Sequence, residues 1–272
     1  MSSKPKHDFH LVNPSPMPIF GALSVLVLAT GALLFMHNKP YGNIALPAGF
    51  ILLFTTMYFW WRDVVKEGLV EKSHTKIVQN GLRIGMALFI LSEVMFFFAF
   101  FFSFFKASLL PVDILSGVWP SAEGVWPPEG IKTFDPWEIP FMNTLILLLS
   151  GTTVTWAHHA LVHGHRKGLI HGLSWTVFLG VTFTCLQAYE YTHAAFGFKD
   201  GIYASNFYMA TGFHGFHVIM GTIFLTVCLF RAKNGQLTPT GHLGFEFAAW
   251  YWHFVDVVWL FLFICIYWWG GS

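Results

Sequence analysis

Leu88-Phe89-Ile90-Leu91-Ser92-Glu93-Val94-Met95-Phe96-Phe97-Phe98-Ala99-Phe100-Phe101-Phe102-Ser103-Phe104-Phe105 is apolar at every position but Ser92, Glu93 and Ser103. A run of this length and density reads as a helix crossing lipid. Its carboxylate is the informative exception. An ionised side chain at bilayer depth costs about 3 kcal/mol or more, so it is turned inward, neutralised or partnered. Glu93 therefore implies a protected polar interior, in which it serves either as a relay or gating carboxylate or as an acid hydrogen-bonded to a neighbouring helix.

Six further apolar runs flank this one. The seven candidate spans are roughly Pro18 to Met36, Leu46 to Trp61, Gly81 to Phe105, Ile139 to Val162, Leu169 to Tyr191, Phe207 to Arg231 and Phe245 to Trp269, each near the 20 or so residues that a spanning helix needs. The second is the shortest and is extended by an amphipathic tail, Arg62 to Gly68. Lipid offers the backbone no hydrogen bonds, so the reading is an all-α integral membrane protein of seven helices. It is one membrane domain over residues 1–272, with helices 1 and 2 at about 18–68, helices 3 to 7 at about 79–269 and an outer loop at about 107–138. Prolines at Trp119-Pro120 and Trp126-Pro127-Pro128 stiffen that loop, and its indoles suit an interfacial position. The first run is too long for a signal-peptide core and reads as a retained span.

Composition agrees, with 55% hydrophobic and only 11% charged residues, more apolar surface than a soluble domain of this size could hide. A formal charge of +1 without any Lys/Arg-rich run sets nucleic acid aside as a partner. Lys and Arg also report orientation. Lys4, Lys6, Arg62, Lys66, Lys72, Lys76, Arg83, Arg166, Lys167, Arg231 and Lys233 fall on the N-terminal side of the seven crossings, against Lys39, Lys106, Lys132 and Lys199 on the other. That bias places the N-terminus inside and the C-terminus outside, in a bacterial cytoplasmic or mitochondrial inner membrane.

Four polar constellations and one boundary cluster could carry chemistry. Glu93 is the first. His158 and His159, with His214 and His217 three apart on one helical face, have metal-like spacing, but a third ligand and supporting carboxylates are not marked out, so inter-helix hydrogen bonding is the expectation. Glu190-x-x-His193 occurs once, whereas di-iron bundles use that motif twice; a helix-end role is expected for it. His253 and Asp256 lie one turn apart on an aromatic span and can pair. At the inner end of the second span, Trp60, Trp61, Arg62, Lys66, Glu67 and His74 combine indoles, cations and hydrogen-bonding groups suited to a phospholipid headgroup, which Arg231 could join. Cys185, Cys228 and Cys265 form no C-x-x-C pair and read as core residues. No nucleophile elbow, nucleotide loop, H-E-x-x-H or C-x-x-C-H occurs, so no catalytic residue and no metal ligand is assigned.

Trp60-Trp61-Arg62-Asp63-Val64, Ser92-Glu93-Val94-Met95-Phe96-Phe97, Trp126-Pro127-Pro128, Thr155-Trp156-Ala157-His158-His159, Ala210-Thr211-Gly212-Phe213-His214-Gly215 and Trp250-Tyr251-Trp252-His253-Phe254-Val255-Asp256-Val257-Val258-Trp259 together closely resemble the cytochrome c oxidase subunit III family. The resemblance runs in order from the second span to Trp269. It implies that the first two helices are splayed from a five-helix bundle by a cleft filled with phospholipid. It further implies a non-catalytic subunit packed mainly on subunit I, with subunit II in the same complex and haem A and copper held by those partners. Under it, Glu93 is the buried, carbodiimide-reactive acid, dispensable for pumping, and Trp61, Arg62, Glu67, His74 and Arg231 are lipid contacts. His158, His159, His214, His217, His253 and Asp256 are then buried structural groups. The role implied is support of proton uptake, turnover stability and oxygen access. The alternative is an independent haem or metal protein, or a transporter, using the intramembrane His and Glu residues.

Overall fold

The computed structural model describes residues 9–110 and 125–271; Lys4, Lys6, His7, Asp8 and the Trp119-Pro120 part of the outer loop lie outside the described residues. Among these, seven helices are long and apolar enough to cross a membrane. They are α1 (Met17–Met36), α2 (Gly42–Leu69), α3 (Lys76–Leu109), α4 (Ile139–Val162), α5 (Arg166–Thr192), α6 (Ile202–Lys233) and α7 (Leu243–Leu262), the last continuing as a π-helical stretch, Phe263–Trp269. The described residues contain no sheet, only an isolated bridge between Thr238 and Gly241. The chain is an integral membrane protein.

Helix ends follow local chemistry more than hydropathy. The Arg62 to Gly68 tail is continuous with α2, so the short second span is a full-length helix. Helix α6 begins at Ile202, not Phe207, because Ser205 and Asn206 bond back to the carbonyls of Gly201 and Ile202 and so satisfy themselves within the helix. Helix α3, at 34 residues, is about 51 Å long. It outreaches the hydrocarbon layer of about 30 Å at its ends. Between α4 and α5 the turn is only three residues, with Gly164 at φ 75°, a left-handed conformation that costs glycine little. So short a turn makes α4 and α5 antiparallel neighbours.

Close contacts divide the chain into two compact units, Met1–Leu82 and Arg83–Ser272. In the first, α1 and α2 form an antiparallel pair whose backbones nearly touch. A Cβ added at Gly49 would lie 2.5 Å from the Cα of Leu28, and one at Gly31 would lie 2.5 Å from the amide nitrogen of Leu46. Ser24 and Thr56 hydrogen-bond across the pair at 3.2 Å. Small residues and hydroxyl pairs of this kind drive helix association in lipid, where there is no hydrophobic gain from contact.

The second unit packs α4 to α7 around a core that includes Phe183, Phe207, Leu225, Trp252, Trp259 and Tyr267. Between α4 and α5, Gly172 lies against Ala157 and Gly168 against Ala160, a small-residue seam closed by a 2.8 Å hydrogen bond between Thr153 and Thr176. Helix α7 buries Phe245, Ala248, Trp252, Val255, Trp259 and Leu262, so most of its aromatic density fills this unit's own interior. The described end of the outer loop rests on the same bundle. Trp126 donates its indole N–H to the carbonyl of Gly270 at 3.0 Å, and Thr133 its hydroxyl to that of Gly271 at 2.9 Å.

Crowding at Gly49 generates a test. Gly49→Ala is expected to cost about 1–3 kcal/mol as the α1/α2 backbones are forced apart. Gly81→Ala, where nothing lies within 4 Å of the new methyl, is expected to be neutral or to stabilise by up to about 1 kcal/mol. Thermal unfolding of the two variants in the same detergent checks the contrast.

Candidate functional site

Helix α3 presents Glu93 and α6 presents His217, and the structure joins them: Oε2 of Glu93 lies 2.8 Å from Nε2 of His217. The other imidazole nitrogen, Nδ1, is 2.6 Å from the carbonyl of Phe213, one turn earlier on α6. A carbonyl only accepts, so Nδ1 carries a proton. One further proton then occupies the short Nε2 to Oε2 contact. Whether it sits on the ring or the acid, the pair as a whole is electrically neutral, and this answers how a carboxylate is carried at bilayer depth without an uncompensated charge. Phe96, Phe97, Tyr251 and Phe254 ring the imidazole.

Glu93 is less deeply buried than the sequence implied. Its side chain is 22% exposed against 7% for His217, because α3 meets α4 to α7 along a single stripe. The deeply buried carboxylate is Glu190, at 1% exposure. It accepts the Tyr267 hydroxyl proton at 2.7 Å, and Tyr267 in turn accepts from the Gln187 amide at 3.3 Å. Glu190 Oε2 and Gln187 Oε1 have no hydrogen-bond partner. The expected helix-end role therefore belongs only to His193, which caps α5 and bonds to the carbonyl of Tyr189. Position relative to the span end misled here, since the π-helical tail of α7 covers that end.

Among the described residues, His158, His159, His214 and His217 do not converge into a ligand set. His214 is fully buried between Trp259 and Phe183, with neither ring nitrogen hydrogen-bonded. His158 is half-buried, its ring against His242 and Phe245. His159 and His253, expected inside, are exposed. On α4 it is Ala157, Ala160 and Leu161 that face inward, and on α7 Trp252, Val255 and Trp259, so the adjacent histidines are turned out. His253 meets Thr155 at 3.2 Å and stands 3.6 Å from the buried Asp256, whose Oδ1 is unpaired. Two indoles close the interior polar inventory, Trp252 donating to Ser150 and Trp259 to Thr144, both at 2.9 Å.

The boundary cluster splits. Trp60 and Trp61 are exposed, and Arg62 is exposed too, lying over the Phe59 ring and 3.5 Å from Asp63. Glu67 and His74 come together at the same helix end and are joined there by His10, a residue that nothing in its sequence context marks out. The His10 and His74 rings meet edge to face at 5.9 Å. Burial, reinforced by His10 and opposed by Glu67, lowers the His74 pKa, which keeps its ring neutral at physiological pH. In the second unit Arg231 ends α6 with a buried, unpaired Nε.

Similarity to known proteins covers nearly the whole length. Residues 7–271 match the family described as Cytochrome c oxidase subunit III. The chain belongs to the cytochrome c oxidase subunit III family. A probable cytochrome c oxidase subunit 3 from Rickettsia bellii is 61% identical over 263 residues, covering 96% of this chain and 95% of its own length. The cytochrome c oxidase subunit 3 of Prototheca wickerhamii is 56% identical over 98% of this chain and 99% of its own, and that of Arabidopsis thaliana is 54% identical over the whole of both. Within this subunit III family member, Glu93 paired with His217 and Glu190 paired with Tyr267 are two acids bonded to another helix or its tail, while buried Asp256 faces His253 one turn away. Of these two inter-helix pairs, only the first acid is signalled by its surroundings in sequence.

The shared proton predicts an asymmetry between the partners. Glu93→Gln keeps a donor for Nε2 and is expected to cost under about 1 kcal/mol of stability, whereas His217→Ala strands the carboxylate and should cost about 1–3 kcal/mol. Unfolding curves of both variants, with the double variant closing the cycle, measure this; equal losses would contradict the pairing.

Proposed function

We propose that the chain is the non-catalytic third subunit of a cytochrome c oxidase, working in aerobic respiratory electron transport. The observation that carries this is the match over residues 7–271 to the subunit III family. Electron transfer from ferrocytochrome c to oxygen, with its coupled proton translocation, is assigned to the partner subunits, which hold haem A and copper. Subunit I is the main neighbour and subunit II lies in the same assembly. The polar interior supports a redox-silent role. His217 has both ring nitrogens engaged, by Phe213 and Glu93, which leaves it no lone pair for iron.

In this reading the subunit sustains subunit I: it stabilises it, supports proton uptake and turnover lifetime, and offers oxygen an apolar route. Phospholipid headgroups are taken by Trp60, Trp61, Arg62, Glu67 and His74 of the first unit and by Arg231 of the second. Indoles and a guanidinium at headgroup depth suit a phosphate ester. The N-terminus faces the inner side, a reading supported by the Lys and Arg distribution.

Three measurements test this reading. Capture of the tagged chain from native membranes in mild detergent is expected to bring haem A absorbance into the eluate, and oxidase carrying Glu93→Gln is expected to retain most of its oxygen reduction; abolished turnover would remove the supporting role for that acid. Trp61→Ala combined with Arg62→Ala is expected to lower the phospholipid retained per complex and to shorten its catalytic lifetime severalfold, with the initial rate preserved. Unchanged lipid and lifetime would contradict the headgroup site.

A further inference from the structure

Among the described residues, one group of three or more His, Cys, Asp or Glu side chains brings its ligand atoms together, and it lies wholly in the first unit. His10, Glu67 and His74 each offer an atom within 4.8 Å of the others. They come from three separate stretches: the segment before α1, the last turn of α2, and the connection from α2 to α3. We infer that His10, Glu67 and His74 form a binding site for one divalent transition-metal ion of the zinc class, which ties the N-terminal segment and the α2–α3 connection to the end of α2.

The donor set decides the class of ion. Two imidazoles and one carboxylate with a fourth position open to water are a zinc-type set, whereas magnesium and calcium take oxygen ligands almost alone. Bound zinc would hold its ligand atoms at about 2.0–2.2 Å and so about 3.3 Å from one another. The observed spacing, up to 4.8 Å, would close by about 1.5 Å at most on binding. A lipid ammonium could also be held by three acceptors, but imidazole is a far better ligand for a transition metal than an acceptor for a strongly hydrated ammonium.

The site is also supported from behind. The Ser73 amide donates to the Glu67 carbonyl at 3.1 Å, and the Gln79 side-chain amide donates to the His74 carbonyl at 3.0 Å. These bonds hold the connection against α2. Gly68 makes the room: a Cβ there would come within 3.0 Å of Nδ1 of His74, so a larger residue would push the ring off the helix end. Ligand orientation by such neighbouring contacts is what tunes metal affinity. All three ligands are half-buried, which leaves the site accessible from outside the chain.

This inference does not depend on the headgroup reading, although both use Glu67 and His74. The full-length chain in detergent is titrated with zinc chloride, and bound zinc and phospholipid are counted separately in each preparation. One zinc per chain is expected, with an X-ray absorption spectrum showing imidazole scattering. Affinity should fall at least tenfold in His10→Ala, Glu67→Gln, His74→Ala and, with all ligands retained, Gly68→Leu. Should a variant fail to fold, the unaltered protein still decides: zinc is expected to protect His10 and His74 from diethyl pyrocarbonate, while exposed His159 stays reactive. No stoichiometric zinc, no protection, or affinity unchanged in any ligand variant would overturn the site. Lipid lost from the His74 variant without any zinc binding in the parent would overturn it likewise, and would leave the headgroup reading standing.

Discussion

Helices already surrounded by hydrocarbon gain nothing from the hydrophobic effect by touching one another, so how near their backbones can come decides what holds this chain together. The seams meet that constraint with missing side chains. Gly31 and Gly49 let α1 and α2 approach to backbone contact, and Gly168 and Gly172 do the same for α5 against Ala160 and Ala157. Within the second unit Gly180 and Gly221 admit the Trp252 ring between α5 and α6. A large aromatic core and a glycine-lined wall are thus two sides of one solution. The indole occupies what the glycines vacate, and dispersion at close range replaces the driving force that water supplies elsewhere.

Polar groups inside such a bundle are retained where they cancel. Glu93 and His217 share a proton and sum to no charge. Trp252 with Ser150 and Trp259 with Thr144 each pair a donor on one helix with an acceptor on another, and the Thr153 and Thr176 hydroxyls meet across α4 and α5 at 2.8 Å. Tyr191 follows the same logic: Thr211 spends its proton on the Phe207 carbonyl, so the Tyr191 hydroxyl must donate to Thr211 at 2.6 Å. These bonds set rotational register between helices that small-residue packing alone would let slide.

What could be read in the sequence follows from the range over which each feature is determined. Apolar length is a local property, so it gives both ends of α4 and, once the Arg62 to Gly68 tail is counted with the second span, the ends of the others to within about five residues. Ends set by side-chain to backbone bonds, as at Ser205 and Asn206, were misplaced since hydropathy counts those residues as polar and ignores that they satisfy themselves. Partners were out of reach. His217 stands 124 positions from Glu93 and Tyr267 stands 77 from Glu190, and no periodicity encodes such a meeting. His10 is silent in sequence for the same reason: one histidine in a polar N-terminal segment carries no signal until the fold brings it to His74. The family resemblance supplied the class of protein but not this geometry.

Helix α3 shows how the two kinds of information combine. Its inward stripe runs Arg83, Met86, Ile90, Glu93, Phe97, Phe101, Phe104 and Ser108, at helical spacing along one face. Yet its backbone approaches the other helices far less than α4 to α7 approach one another. It is held at side-chain length and at three heights. Arg83 grips Glu246 of α7 through two 2.9 Å bonds, a fork geometry that fixes direction as well as distance. Glu93 meets His217 at mid-span. Near the far end Phe104 is fully buried, with its ring edge-on to Trp126 and Trp269. A helix secured this way presents most of its circumference outward, which is why a span of such apolar density buries so few residues. Three spaced attachments also fix rotation about its own axis: turning α3 by one residue, about 100°, would break the ion pair, the shared proton and the aromatic socket together. The long apolar run gives the helix its place in lipid, and Arg83 ahead of it and Glu93 within it decide which way it faces.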